Sequence, residues 1–305
     1  MKKIIMASLL VFVPFMSMAA DHCTNPDIYF FDKRCYVTDE QKRTSPYNAV
    51  VALVGGSGAP YCTGTILNFG GRLVVHTAKH CVVDDAGTLR DKITVMTQTG
   101  KKISVKLKDW GSYDVVNSPL DRSDDWAYYT ISSADGDGIP WASLTDPDRL
   151  HERNAARVVG YGGLKIMSDG EIKQFKQKYK DYLWAEEGID SNSIEAQYCF
   201  SDGGGVCVWS TYGYAFWEYL YNNERAYYND IFRNKRLKVS KCVFTLDGEA
   251  VGCQIWGGNS GGGVFDSDGG LMGVLTGYSG IIGGGWNHSS AAGRGSGIKN
   301  VTFFK

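Results

Sequence analysis

Residues 72–78 read RLVVHTA, and they follow two similar stretches, NAVVALV at 48–54 and CTGTILN at 62–68. Val, Ile, Thr and Tyr favour β-strands, and short runs of them separated by Gly, Asn and Asp are typical of sandwiches and barrels. The sequence therefore predicts an all-β fold. Runs of the same kind recur at 92–97, 101–107, 126–131, 156–162, 236–244, 261–266 and 269–278.

A region of about 70 residues, roughly 164–235, interrupts the predicted strands. One face of a helix in this region would carry apolar and aromatic residues at helical spacing: Ile172, Phe175, Tyr179, Tyr182 and Leu183. The aromatic-rich stretch YGYAFWEYLYNNERAYYNDIF, at 212–232, is also predicted to be helical. We predict a helical insertion whose aromatics pack against the β core; a lid, a partner surface and a separate cap are the alternatives.

The first twenty residues, MKKIIMASLLVFVPFMSMAA, combine two lysines, an apolar run and small residues. This pattern predicts a secretory signal peptide cleaved near Ala19 or Ala20. No later stretch has the roughly 20 apolar residues that a membrane helix needs. We expect a soluble chain that is secreted or periplasmic, with residues 21–46 as a lead or pro-segment that is open to cleavage near Lys42 and Arg43.

Composition argues against several classes of partner. The net charge is −1 and the basic residues are dispersed, so the sequence shows no footprint for nucleic acid. The strings GGSG and IIGGG lack the strand-to-helix context of a phosphate or dinucleotide loop, so no cofactor is predicted. The sequence does not indicate an oligomeric state.

All eight cysteines follow the predicted signal peptide. An even number of cysteines in an exported chain indicates disulfides. None of them has the C-x-x-C spacing that is typical of zinc sites, so no metal is predicted.

Three strings carry residues with catalytic chemistry: VVHTAKHC at 74–81, DRSDDWAYYTI at 121–131 and GGNSGGGVFD at 257–266. His80 could take and return a proton near neutral pH, and a carboxylate from the second string could fix its tautomer. The glycines around Ser260 leave its hydroxyl and nearby N–H groups uncovered. Each string also has a plainer interpretation: a structural histidine, solvated acids in a turn, or a Gly-rich turn. A zinc pair of His76 and His80 lacks the Glu of H-E-x-x-H.

Together the strings resemble the chymotrypsin-like serine peptidase family. Its TAAHC, D-[IW]-A-L and GDSGG motifs correspond, in the same order, to TAKHC at 77–81, DWAY at 125–128 and GNSGG at 258–262. The resemblance covers roughly 47–163 and 236–305. It implies two antiparallel six-stranded β-barrels, the first at 47–135 and the second at 136–305, with the insertion at about 164–235 in the second.

The resemblance also implies roles for individual residues. Ser260 becomes the nucleophile, His80 the general base and then acid, and Asp125 the orienting carboxylate, because it directly precedes the strand as the family's aspartate does. Gly258 and Ser260 would donate the N–H groups of the oxyanion hole. Within CTGTIL, Cys62 matches the partner of the cysteine after the catalytic histidine, which implies a Cys62–Cys81 disulfide.

The remaining cysteines are expected to pair locally. No cysteine follows Cys253, so the disulfide that usually ties the pocket walls together across the serine is absent. Proximity favours Cys242–Cys253, Cys199–Cys207 and Cys23–Cys35.

Two departures from the family pattern bear on activation and specificity. Asn259 stands where zymogen-activated members carry an aspartate that pairs with a new N-terminus, so a trypsinogen-type switch is not expected. Gln254 stands where trypsin-like members carry the pocket aspartate, and a buried guanidinium without a carboxylate is costly. Leu275 stands where glutamate-specific relatives carry a histidine. The wall at Thr276, Gly277 and Tyr278 indicates a neutral pocket.

The sequence therefore predicts a secreted serine endopeptidase that acts on proteins or peptides and is not Arg- or Lys-specific. One alternative is a catalytically silent protein of the same fold that binds a partner through the helical insertion. Another is an esterase-type hydrolase, but its serine lies in G-x-S-x-G and its chain order is serine, acid, histidine. Here the histidine comes first and the serine last.

Overall fold

The fold is known from a computed structural model of the chain. It describes residues 36–84, 86–112, 124–146, 156–162, 222–233, 236–244, 250–251, 258–276 and 301–303, and the single positions 170, 174, 177 and 220.

The first half of the chain forms a closed antiparallel barrel in the order β1-β2-β3-β6-β5-β4. Closure comes from pairing of β1 with both β2 and β4, so the barrel has no free edge. Its strands are β1 (Val50–Val54), β2 (Pro60–Phe69), β3 (Arg72–Thr77), β4 (Lys92–Met96), β5 (Lys102–Trp110) and β6 (Ala127–Thr130).

The second half forms a six-stranded sheet in the order β12-β11-β10-β7-β8-β9, again with antiparallel neighbours. The predicted all-β, chymotrypsin-like fold class is confirmed, although closure of this second sheet into a barrel is not seen within the described ranges. Its strands are β7 (Ala156–Gly160), β8 (Lys238–Phe244), β9 (Ala250–Val251), β10 (Gly263–Phe265), β11 (Leu271–Leu275) and β12 (Val301–Phe303).

Strand β1 explains how the two halves are joined. All five of its residues are buried. Val51 and Leu53 belong to the barrel core, whereas Val50, Ala52 and Val54 belong to a second core shared with Val159, Val239 and Phe265 from the other sheet. Because successive side chains of a strand point to opposite faces, one strand serves both cores.

Little helix is seen among the described residues. A single turn, α1 (Ser133–Gly136), is capped by the Ser132 side chain, which accepts a hydrogen bond from the N–H of Asp135. Helix α2 (Arg225–Arg233) covers the end of the second stretch predicted to be helical and extends one residue beyond it. Most of the first such stretch lies outside the described residues. In the part of the chain that is described, no helix is long and apolar enough to cross a membrane.

The described part of the N-terminal lead segment is built into the fold. Tyr36 forms an isolated bridge with Lys238, and the N–H of Val37 donates to the carbonyl of Leu237 at 3.0 Å. The Val37 side chain is 3% exposed and packs in the second core. The segment from Tyr36 onward is therefore part of the folded structure and not only a polar segment that precedes it.

Candidate active site

His80 and Asp125 meet at the end of two paired strands. β3 pairs with β6 up to Thr77 opposite Ala127, so the residues just beyond these ends are brought together. His80 lies in the short 3-10 helix Lys79–Cys81, and Asp125 lies two residues before β6. The sequence-predicted pair is thus juxtaposed by the barrel register.

Two hydrogen bonds join this pair. His80 Nδ1 lies 2.6 Å from Asp125 Oδ2, and the backbone N–H of His80 donates to Asp125 Oδ1 at 2.8 Å. The Asp125 side chain is fully buried, while the imidazole is 19% exposed. A buried carboxylate bound in this way holds the ring with Nδ1 protonated and leaves Nε2 to accept a proton.

The neighbouring Asp124 has a different environment. It is exposed, and its Oδ2 accepts a hydrogen bond from the Ser112 hydroxyl at 2.6 Å. Behind it, the N–H of Gly111 donates to the carbonyl of Trp126 at 2.9 Å, and Lys79 Nζ donates to the carbonyl of Gly111. These bonds brace the segment that carries Asp125.

We define the Ser260 loop as residues 258–262, between β9 and β10. Two of its glycines have positive φ, +102° at Gly258 and +80° at Gly261, a conformation that favours glycine. A Cβ on Gly261 would lie 2.0 Å from the carbonyl oxygen of Thr63, so glycine is required for this loop to approach the barrel.

The loop is fixed by buried hydrogen bonds. The carbonyl of Ser260 accepts from the N–H of Thr63 at 2.8 Å, and the carbonyl of Asn259 accepts from the N–H of Gly262 at 2.8 Å. The Asn259 side chain, 6% exposed, accepts from the N–H of Gly162 through Oδ1 at 2.8 Å. A Cβ on Gly162 would lie 2.3 Å from Asn259 Cγ, so the amide occupies the space beside this glycine.

The Ser260 carbonyl and the His80 imidazole both lie close to one sulfur atom. The carbonyl oxygen of Ser260 is 3.6 Å from Cys81 Sγ, and His80 Nε2 is 3.8 Å from the same atom. The Ser260 hydroxyl makes no hydrogen bond to a described residue in this conformation. Catalytic hydrogen bonds of ligand-free enzymes often form only with substrate, so this geometry is compatible with a serine that turns toward the imidazole.

Two backbone donors of the loop have no partner within the described part of the chain, the N–H groups of Gly258 and Ser260. Buried N–H groups are nearly always paired. Gly258 is buried and Ser260 is half-buried.

Cys62 and Cys81 form the disulfide that the family resemblance implied, with an S–S distance of 2.00 Å. With His80 they form the one group of three or more metal-ligating residues, with ligand atoms within 4.8 Å of one another, that the described residues contain. The metal ligand would be a thiolate, and both sulfurs are already joined to each other. This cluster therefore offers no thiolate to a metal.

His76 is separate from this pair. Its ring is stacked on Tyr128 with centroids 4.5 Å apart, and burial lowers the pKa of its imidazole to about 3. A ring that stays neutral inside the β-structure acts as a packing group and not as a general base.

Several predicted residues lie outside the described ranges: the pocket residues Gln254, Gly277 and Tyr278, and the cysteines 23, 35, 199, 207 and 253. Thr276 is buried directly after β11, and the backbone of Cys242 pairs with Ala156. The pocket and the remaining disulfides stay predictions.

Sequence reasoning missed two residues that hold the loop, Thr63 and Gly162. The sequence signal available for Thr63 was a hydroxyl directly after Cys62 in the predicted strand CTGTILN.

Comparison with known proteins gives the family. The sequence model of the family described as Trypsin matches residues 37–235, a span that includes His80 and Asp125. None of the curated proteins compared with the sequence matches it significantly.

Similar solved structures include a Glu endopeptidase in complex with MPD, at 14% identity and a TM-score of 0.41, over 77% of this chain and 81% of that chain. A serine endoprotease from Yersinia pestis has 17% identity and a TM-score of 0.39, over 78% of this chain and 57% of that chain. Protease Anisep from Arthrobacter nicotinovorans has 13% identity and a TM-score of 0.41, over 78% of this chain and 87% of that chain. Because the family match extends over more than half of its length, the chain belongs to the trypsin family of chymotrypsin-like serine peptidases.

Proposed function

We propose that this chain is an exported serine endopeptidase that cleaves peptide bonds through an acyl-enzyme, with Ser260 as nucleophile, His80 as base and Asp125 as orienting carboxylate. The observation that carries the proposal is the buried Asp125 bound to both the ring and the backbone N–H of His80. That arrangement presents Nε2 as a base on the side of the ring where Cys81 Sγ and the Ser260 carbonyl lie.

The reaction follows from these groups. Ser260 Oγ attacks the scissile carbonyl carbon while His80 Nε2 removes the hydroxyl proton. The resulting imidazolium is stabilised by Asp125, which remains ionised, and it then protonates the leaving amine as the C–N bond breaks. A water molecule, deprotonated by the same imidazole, then attacks the ester carbonyl, and the imidazolium returns the proton to Ser260 Oγ as the ester C–O bond breaks.

The tetrahedral intermediates need donors for their oxyanion. The N–H groups of Gly258 and Ser260 are suited to this role because the described residues leave both without a partner. Preorganised donors of this kind are worth about 10²–10³ in kcat each.

Activity is expected without creation of a new N-terminus. Asn259 carries no charge that would need a terminal ammonium, and its Oδ1 is already bonded to the N–H of Gly162. Val37, buried in the second core, also argues for retention of the segment that begins at Tyr36. Cleavage at Lys42 or Arg43 would sever this segment from β1.

Export and specificity complete the proposal. Two observations favour export: the Cys62–Cys81 disulfide is typical of an oxidising compartment, and residues 1–20 have the pattern of a signal peptide. For the substrate, we expect an uncharged residue before the cleaved bond, since Gln254 offers no carboxylate to a guanidinium.

The test is covalent labelling of the processed protein by a fluorophosphonate probe, which reacts with activated serines. We expect labelling of the wild type, none of Ser260→Ala, and unchanged labelling of a control, Ser57→Ala, which alters an exposed serine in a turn. A peptide library then separates endopeptidase from esterase activity and reports the preferred residue. A folded, processed wild type that neither labels nor cleaves would contradict the proposal and favour the silent, partner-binding alternative.

A further inference from the structure

Thr63 is the point at which the first half of the molecule meets the Ser260 loop. It lies on β2, opposite Ala52 of β1, and it is fully buried. Its backbone N–H donates to the Ser260 carbonyl, as described above. Its side chain makes two further hydrogen bonds, and neither of them involves a residue of the proposed triad.

The hydroxyl uses both of its functions. Thr63 Oγ1 donates to the carbonyl of Gly258 at 2.7 Å and accepts from the N–H of Tyr161 at 2.9 Å. A threonine hydroxyl has one proton to donate and two lone pairs, so the Gly258 carbonyl receives its only proton. All three groups are buried, and water is poorly placed to replace the side chain.

The consequence for the loop is geometric. Fixing the Gly258 carbonyl fixes the plane of the Gly258–Asn259 peptide, because the peptide bond is planar. With Thr63 N–H on the Ser260 carbonyl as well, one residue of β2 holds the loop on both sides of Asn259. The two donors proposed for the oxyanion belong to the two peptides adjacent to this plane, the Gly258 N–H to the peptide 257–258 and the Ser260 N–H to the peptide 259–260, so their directions depend on how the plane is held.

We propose that Thr63 is a positioning residue for the oxyanion hole: its hydroxyl orients the loop through the bond to the Gly258 carbonyl. The inference rests on the proposed function of Ser260. A residue of the first half would then help to orient the Ser260 loop, so the oxyanion hole would form only when the two halves pack together.

The neighbouring Thr65 provides a matched control. It lies two residues further along β2, on the same face and equally buried, but its Oγ1 has no hydrogen-bond partner among the described residues. Replacing threonine by valine at either position removes a hydroxyl and preserves the shape of the side chain. Only Thr63→Val removes a bond to the loop.

The experiment measures kcat and KM for a peptide substrate, with enzyme concentration set by titration with the fluorophosphonate probe. We expect Thr63→Val to lower kcat per titrated site by about 10- to 100-fold, part of the value of an oxyanion donor, with KM changed less than about threefold. Thr63→Ser keeps the hydroxyl and is expected to stay within about threefold of the wild type. Thr65→Val is expected to stay within about twofold.

A merely structural role gives a different result. It would reduce the number of titratable sites or the melting temperature of Thr63→Val and leave kcat per site at the wild-type value, which would overturn the proposal. If Thr63→Val does not fold, Thr63→Ala removes the same hydroxyl without a methyl against the Gly258 carbonyl and carries the same expectation. Failure of the wild type to label overturns the function of Ser260 itself, and is thereby distinguished from failure of the Thr63 inference.

Discussion

The His80–Asp125 pair and the Ser260 loop are held in different ways. Both oxygens of Asp125 bind His80, and both residues belong to the first half of the chain, so this pair is complete once the barrel has folded. The Ser260 loop takes hydrogen bonds from Thr63 of the barrel and from Gly162 beside the second sheet. The proposed base, His80, is therefore positioned within one unit, whereas the proposed nucleophile, Ser260, is positioned only when the two units pack together.

Breaking the pair in the first half is expected to give the largest effect. In Asp125→Asn, the amide oxygen must face the backbone N–H of His80, because an NH₂ group there would oppose another donor. The NH₂ group then faces Nδ1 and selects the tautomer with Nε2 protonated, which cannot act as base. We expect kcat to fall by about 10⁴-fold with a similar KM.

The control for this variant is Asp124→Asn, in which an exposed carboxylate bound to Ser112 is altered. Its kcat is expected to stay within about twofold of the wild type, as for most exposed sites. A large loss in Asp124→Asn with an unchanged kcat in Asp125→Asn would show that the choice between the adjacent aspartates is wrong.

Breaking the support of the loop inside the second half is expected to give a smaller loss. In Gly162→Ala, the new methyl would collide with the Asn259 side chain, whose Cγ lies 2.3 Å from the Cβ position. The loop must shift, and a displacement of about 1 Å at a reacting group costs about 10²-fold in rate. Steady-state kinetics are expected to show this loss in kcat while the His80–Asp125 pair stays intact.

Gly56→Ala is the matched control, because nothing lies within 4 Å of its Cβ position and its residue is exposed. An unchanged kcat there, together with an unchanged kcat in Gly162→Ala, would mean that Asn259 does not position the nucleophile.

The disulfide at the contact between the halves is expected to affect stability more than rate. Cys62 and Cys81 are 19 positions apart, and closing a loop of this size restricts the unfolded chain by about 3 kcal/mol. We expect the double variant Cys62→Ala/Cys81→Ala to lose about 2–4 kcal/mol of unfolding free energy in urea. Its kcat at low temperature should remain near the wild-type value, since neither sulfur bonds to Asp125. A large loss of kcat in folded protein would instead assign Cys81 a direct part in orienting the imidazole.

The sequence was most informative where interactions are local or repeat with a period. Runs such as RLVVHTA predicted the barrel strands closely, whereas β9 and β12, of two and three residues, are too short to give a pattern. The His80–Asp125 pair followed from motifs with adjacent residues. The Thr63–Gly258 bond joins positions 195 apart, and no spacing rule reaches that far. Likewise, Val37 is followed by the polar run TDEQKRTS at 38–45, so no periodic pattern marks it as buried, and its burial depends on a tertiary contact with Leu237.

The effect that is smallest at neutral pH concerns His76 and the surface between the halves. His76 alternates with Val75 on β3 and so lies on the same face as Val74, which packs in the shared core. Burial lowers the pKa of its imidazole to about 3, whereas an exposed histidine in the unfolded chain titrates near about 6.5. As the pH falls below about 6.5, His76 of the unfolded chain binds a proton, whereas His76 of the folded chain stays neutral until the pH approaches about 3. Stability is therefore lost on acidification between these two values, and the contribution is fully present above about 6.5.

The slope of this loss approaches about 1.4 kcal/mol per pH unit for one proton. We expect urea unfolding at a series of pH values to show a flatter acid limb in His76→Phe than in the wild type, whatever the difference in absolute stability. Phenylalanine keeps a ring beside Tyr128 but does not titrate. Parallel curves for the two proteins would mean that His76 is protonated equally in the folded and unfolded states. The core between the two halves would then tolerate a charged imidazole, contrary to this prediction.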